Sequence, residues 1–113
     1  MKTLFIDLDG CVFKHPGNMN NITEDQEVLP NVHTKFSEWQ SVGCTIIIAT
    51  GRPESMRELT KKQLQINGLV YDQLVMGLKN YPRILINDQK PNGTNTAIGY
   101  CIDRNVGLGE IDL

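Results

Sequence analysis

The chain has 113 residues, 40% of them apolar and 21% charged, with a formal charge of −2. That composition suits one soluble globular domain with a single core, and it offers no basic field to hold a nucleic-acid backbone. The longest apolar run, 46–49, is far too short to span a bilayer and no signal-peptide pattern is present. Three widely spaced cysteines (Cys11, Cys44, Cys101) fit a reducing cytoplasm better than a disulfide framework or a zinc site.

Residues 2–8 read as a buried strand that delivers two carboxylates, Asp7 and Asp9, followed at once by Gly10. Unpaired buried charge is costly, so this pair implies a metal, a hydrogen-bond network or a catalytic task. Residues 11–29, with Pro16, Gly17 and several asparagines, read as an irregular loop or short hairpin. Pro30 opens a helix with Val32, Phe36 and Trp39 on one face and Gly43 as its stop. A β-branched strand is expected over 44–50. A second helix is expected over 53–67, with Met56, Leu59 and Ile66 sharing a face and Leu64 off it. Short strands are expected over 74–76 and 83–87, joined by a connection with no room for a full helix. A last strand is expected over 96–102, and the tail from Gly107 reads as loosely ordered. The order implies an α/β fold, one domain over 1–113 built on a parallel sheet with helices on both faces.

Ligands of open parallel sheets bind at the carboxyl ends of the strands. Three expected strands end in reactive residues: Asp7 and Asp9, Thr50, and Asp88. Asp7 and Asp88 would offer hard oxygen ligands suited to Mg²⁺. Thr50 would offer a hydroxyl to a phosphate oxygen. Gly51 and Arg52 lead into a helix whose first amides form an anion site. Metal, hydroxyl, amides and cation together describe a pocket for a phosphoryl group.

The segments IDLDGC at 6–11, IIIATGRP at 46–53 and ILIND at 84–88 resemble the motifs of the haloacid dehalogenase (HAD) superfamily, in the same order. The chain is similar to its short, capless phosphatases with a Rossmann-like domain, and the closing segment resembles those associated with surface-polysaccharide synthesis. The resemblance implies that Asp7 is the nucleophile, forming an aspartyl-phosphate, and that Asp9 carries the proton. It implies Mg²⁺ held by Asp7, Asp88 and the Asp9 carbonyl, and phosphate held by Thr50, Gly51, Arg52 and Lys79, with Lys90 as the reserve lysine. A second Asp in the first motif points to phosphatase chemistry, and the absence of room for a cap argues against a mutase.

Some positions depart from the family pattern. Cys11 stands where Thr is usual and reads as an inert packed thiol, Asn87 replaces the first acid of the last motif, and Asn92 replaces another Asp. The segment 11–29 can form only a flap, so either the substrate is large or a neighbouring subunit covers the site in a homo-oligomer. The expected substrate is a small phosphorylated molecule such as a phospho-sugar. The rivals are a nucleotide or polynucleotide-end phosphatase and a degenerate HAD-like domain kept for protein contacts.

Overall fold

In the computed structural model, which describes residues 1–113, the β-branched run Thr45–Ala49 is the middle strand of a three-stranded parallel sheet. The elements in chain order are β1 (Thr3–Ile6), α1 (Val32–Ser41), β2 (Thr45–Ala49), α2 (Arg57–Ile66) and β3 (Gln73–Val75), with sheet order β1-β2-β3. Ile6 lies opposite Ile48, and Ala49 opposite Val75. Ile46 to Ala49 are all buried, which is why this run alternates so little: a central parallel strand is covered on both faces. No helix is long and apolar enough to cross a membrane.

The α/β class and the parallel sheet agree with the sequence expectation, while the layering is simpler. Val32, Phe36 and Trp39 of α1 and Leu64 of α2 join one cluster with Ile6, Ile46 and Ile48, the side chains of a single sheet face. The helices also touch each other's ends, His33 bonding the Asn67 carbonyl at 2.7 Å and Gln40 donating to the Val70 carbonyl at 2.7 Å. Two right-handed crossovers stepping the same way, from β1 to β2 to β3, place both helices on the same side. Each of the three large α1 side chains contributes about 1.5–3 kcal/mol by leaving water. On α2 the buried face is Thr60, Gln63 and Leu64, whereas Ile66 is exposed.

After β1 the chain coils around one carbonyl, Leu8 O, which accepts from the N–H groups of Cys11, Val12 and Phe13. Residues 12–14 then run antiparallel to 27–29, with Leu29 N donating to Val12 O and Lys14 N to Glu27 O. A single 3-10 turn, Met19–Asn21, caps this flap.

The strands expected over 83–87 and 96–102 do not form. β3 ends at the carboxyl edge of the sheet, so a further parallel strand must begin at the opposite edge. Such a crossover takes about a dozen residues or more, and only 76–82 are available. The chain instead leaves the sheet as a two-legged arm over 83–102. Its legs are tied by Asn87 Nδ2 to Thr96 O (3.1 Å), Thr96 Oγ1 to Asp88 O (2.6 Å) and Lys90 N to Thr94 O (2.9 Å). The tail, expected to be loose, packs back: Leu108 is buried and its N–H donates to Pro30 O at 3.2 Å. Gly107 makes this possible, having a φ of +84° and a contact with the Pro30 backbone that leaves no space for a Cβ.

Candidate active site

Because β1 and β2 are parallel and in register, their carboxyl ends deliver Asp7, Asp9 and Thr50 to one edge. The carboxylates are held differently. Asp9 is nearly buried, its side chain 7% exposed, and it is gripped by Arg52, whose side chain is 0% exposed. Arg52 Nε donates to Asp9 Oδ2 at 2.9 Å and Nη2 to Oδ1 at 2.8 Å. The remaining nitrogen, Nη1, donates to Thr60 Oγ1 (2.9 Å) and Gln63 Oε1 (2.6 Å) on α2, while Phe13 lies under the guanidinium. Gln63 in turn donates to the Thr23 carbonyl of the flap. A buried guanidinium needs all its donors used, and the polar face of α2 exists to use them.

Asp7 faces open space. Its partner is Arg83, with Nη1 3.4 Å from Oδ1. Burial pushes the Asp7 carboxyl above its usual value, against the pull of Arg83 and the Leu8 amide and with a smaller push from Asp9. Cys11 beside it is pushed up to about 11, first by burial and then by the Asp7 charge, so it is a thiol at neutral pH.

These residues open on a cavity of about 590 Å³, whose lining includes Asp7, Thr50, Asn80, Arg83 and Arg104. Thr50 is buried, and its Oγ1 accepts from Arg52 N at 3.1 Å, leaving the hydroxyl proton free to donate. Gly51 is packed against the chain crossing above it: a Cβ there would lie 2.5 Å from Lys79 O and 2.9 Å from Asn80 Oδ1. The site therefore sets one hydroxyl and two arginines, groups complementary to a phosphate dianion, beside one accessible carboxylate.

Of the residues expected from the sequence, the structure brings Asp7, Asp9, Thr50, Gly51 and Arg52 together at this cavity. Arg52 serves Asp9 and α2 rather than open space. Lys79 comes near by its backbone, at a φ of +64°, while its side chain is outside the lining, and Lys90 sits on the arm. Asp88 is a correction to the expected ligand set: it is exposed on the arm, for the topological reason that removed the strand before it. Arg83, Arg104 and Asn80 were missed. Only the Arg83 position carried a sequence signal, standing just before an apolar run whose acidic end was expected at the site.

The expected Mg²⁺ does not fit the side chains that one chain presents. Both Asp9 carboxylate oxygens are taken by Arg52, which leaves only the backbone carbonyl that the resemblance assigns to the metal, Arg83 stands against Asp7, and no group of three His, Cys, Asp or Glu side chains comes together. One carboxylate is a poor cage for a hard dication.

No family model and no curated protein matches the chain. Among solved structures it is similar to a chain of a Pnkp1/Rnl/Hen1 complex, with 26% identity and a TM-score of 0.61 over 74% of this chain and 30% of that one. A chain of the Pnkp1/Rnl/Hen1 RNA repair complex gives 25% identity and a TM-score of 0.57, over 66% of this chain and 25% of that one. The chain thus spans less than a third of either. A structural-genomics target from Vibrio cholerae shares the fold, with a TM-score of 0.54 at 20% identity over 77% of this chain and 80% of that one.

Proposed function

We propose that the chain is a phosphomonoester hydrolase of the haloacid dehalogenase type, working through an aspartyl-phosphate on Asp7. The observation that carries this reading is the accessible Asp7 carboxylate, which shares one cavity lining with Thr50, Arg83 and Arg104. In the first step an Asp7 oxygen forms a bond to phosphorus and the ester oxygen leaves with the bonding pair, taking a proton from Asp9. In the second, water attacks phosphorus, gives its proton to Asp9, and the Asp7–phosphorus bond breaks to release phosphate. To carry that proton Asp9 must give up one of the two hydrogen bonds it accepts from Arg52. Thr50, Arg83 and Arg104 orient the phosphoryl oxygens and spread their charge.

The substrate class is a phosphorylated sugar or another small metabolite, admitted by an uncapped cavity. A second reading, a nucleotide or polynucleotide end, is favoured by the likeness to a chain of an RNA repair complex and by the two arginines at the cavity. The test is hydrolysis of a generic aryl phosphate in the presence of Mg²⁺, then of sugar phosphates, nucleotides and a phosphorylated oligonucleotide. Turnover lost in Asp7→Asn supports the proposal, and preference for the oligonucleotide selects the second reading. No turnover of any of these by the wild type sinks both.

A further inference from the structure

The flap meets the cavity through one side chain to which the steps above give no task. His15 belongs to the lining together with Asp7, Gly10 and Arg104. Its backbone N–H donates to Asn105 Oδ1 at 2.8 Å, and Asn105 N donates in turn to Gly10 O at 2.9 Å. Asn105 makes both bonds at a left-handed φ of +69°, a conformation that Asn tolerates better than most residues. Backbone outliers of this kind concentrate where a binding group has to be held in place.

The imidazole is fixed as well. Gly17 N donates to His15 Nδ1 at 3.0 Å, from a turn that Gly17 enters with a φ of +76°. A ring nitrogen that accepts carries no proton, so the proton of the neutral ring sits on Nε2. Nε2 finds no partner within the chain and is not shut off from solvent. His15 is therefore left with a single free donor, Nε2–H.

Its place decides what that donor meets. A Cβ on Gly10 would lie 3.8 Å from His15 Cδ2, the ring carbon bonded to Nε2, with the Arg104 stem beside it. Gly10 directly follows Asp9, which in the proposed mechanism hands its proton to the ester oxygen. The cavity, at about 590 Å³, is within the ~300–1,000 Å³ of pockets that hold whole small molecules, so there is room beyond the phosphoryl group. Tyr81, 71% exposed, lends that room an aromatic face.

We infer that His15 is a specificity-determining residue of this site, its Nε2–H hydrogen-bonding an oxygen of the sugar that carries the scissile phosphate. The inference rests on the phosphatase reading above and narrows its substrates to esters whose leaving group has an acceptor on the edge of a ring. The C–H face of such a ring lies against Tyr81. An unsubstituted aryl group offers the donor nothing. A free sugar phosphate and a nucleotide present the same chemistry.

One test compares kcat/KM on ribose phosphate, a nucleoside monophosphate and phenyl phosphate. His15→Ala should lose about 3–10-fold on the sugar esters, the worth of one neutral hydrogen bond, and keep its rate on phenyl phosphate. His15→Gln, whose amide still donates, should recover part of the loss. A loss confined to one of the two sugar esters supports the inference and identifies the source of the sugar. An equal loss on all three esters, or no loss on any, overturns it and leaves the hydrolase standing.

A second test needs no turnover. The chain has two histidines, His15 and His33, so nitrogen NMR of the imidazoles is assigned with a His33→Gln variant. His15 should carry its proton on Nε2, and ribose phosphate added to Asp7→Asn should shift that resonance more than phenyl phosphate does. A proton on Nδ1, or a resonance that ribose phosphate leaves unmoved, overturns the inference. If no ester is turned over while ribose phosphate still shifts Nε2, the sugar subsite holds and the hydrolase reading falls.

Discussion

Arg52 closes a two-pronged fork on Asp9, Nε to Oδ2 at 2.9 Å and Nη2 to Oδ1 at 2.8 Å, across 43 positions of sequence. The same guanidinium holds Thr60 and Gln63, so it fastens the turn after β1, the buried face of α2 and, through Gln63, the flap. Removing one partner of a buried pair leaves the other charge uncompensated, at a cost of about 3–5 kcal/mol. Arg52→Ala is therefore expected to lower the stability measured by urea unfolding by that much, and Arg52→Lys to restore little, because an ammonium cannot reproduce the fork. An Arg52→Ala protein within 1 kcal/mol of wild type, an order-of-magnitude line drawn from typical surface substitutions, would contradict this role.

In the proposed mechanism Asp7 must be ionised to attack phosphorus. Burial raises its carboxyl above the usual 3.8, and Arg83 pulls it down. The acid limb of kcat/KM is expected above that usual value, and Arg83→Ala, by removing the pull, should move the limb further toward neutral pH. The sign is fixed: losing a neighbouring cation favours the protonated form. A pH–rate profile of wild type and variant checks it, and a limb that stays still or moves to lower pH counts against the pairing.

Cys11 shares the cavity yet has a thiol pushed to about 11, so only about one molecule in ten thousand carries the thiolate at pH 7. Iodoacetamide should label the exposed Cys101 well before Cys11. Peptide mapping of partly alkylated protein at neutral pH reads the order directly, and early labelling of Cys11 would refute its inertness.

Gly51 lets residues 79–80 pass close over the site. In Gly51→Ala the new methyl meets Lys79 O at 2.5 Å and Asn80 Oδ1 at 2.9 Å, and the backbone must shift. A displacement of that order beside a reacting centre costs ~10–100-fold in kcat/KM. Gly99→Ala, where nothing lies within 4 Å of the added carbon, is the matched control and should leave the rate unchanged.

Local pattern made β1, α1, β2 and the Asp7–Asp9–Thr50 edge legible, because alternation, helical spacing and strand-end chemistry are written within a few residues. The task of Arg52 was not legible, because its partners lie far off in sequence. The one trace was Thr60 and Gln63 sharing the buried face of α2 with Leu64 while Ile66 points outward. The run Ile84–Leu85–Ile86 misled for the opposite reason: apolar residues announce a strand but not which sheet it can reach. Only the eight residues between Val75 and Ile84, read as a crossover length, refuse the pairing within the chain.

The loop behind Asp7 is completed by Asn105, far along the chain. His15 N donates to Asn105 Oδ1 at 2.8 Å across 90 positions, and Asn105 N donates to Gly10 O at 2.9 Å. Contacts of such long range form late and slow folding. During synthesis the acid-bearing turn leaves the ribosome well ahead of Asn105, 90 positions beyond His15, which fixes its shape. Until Asn105 has emerged, the Asp7–Gly10 turn lacks the hydrogen bonds that hold it.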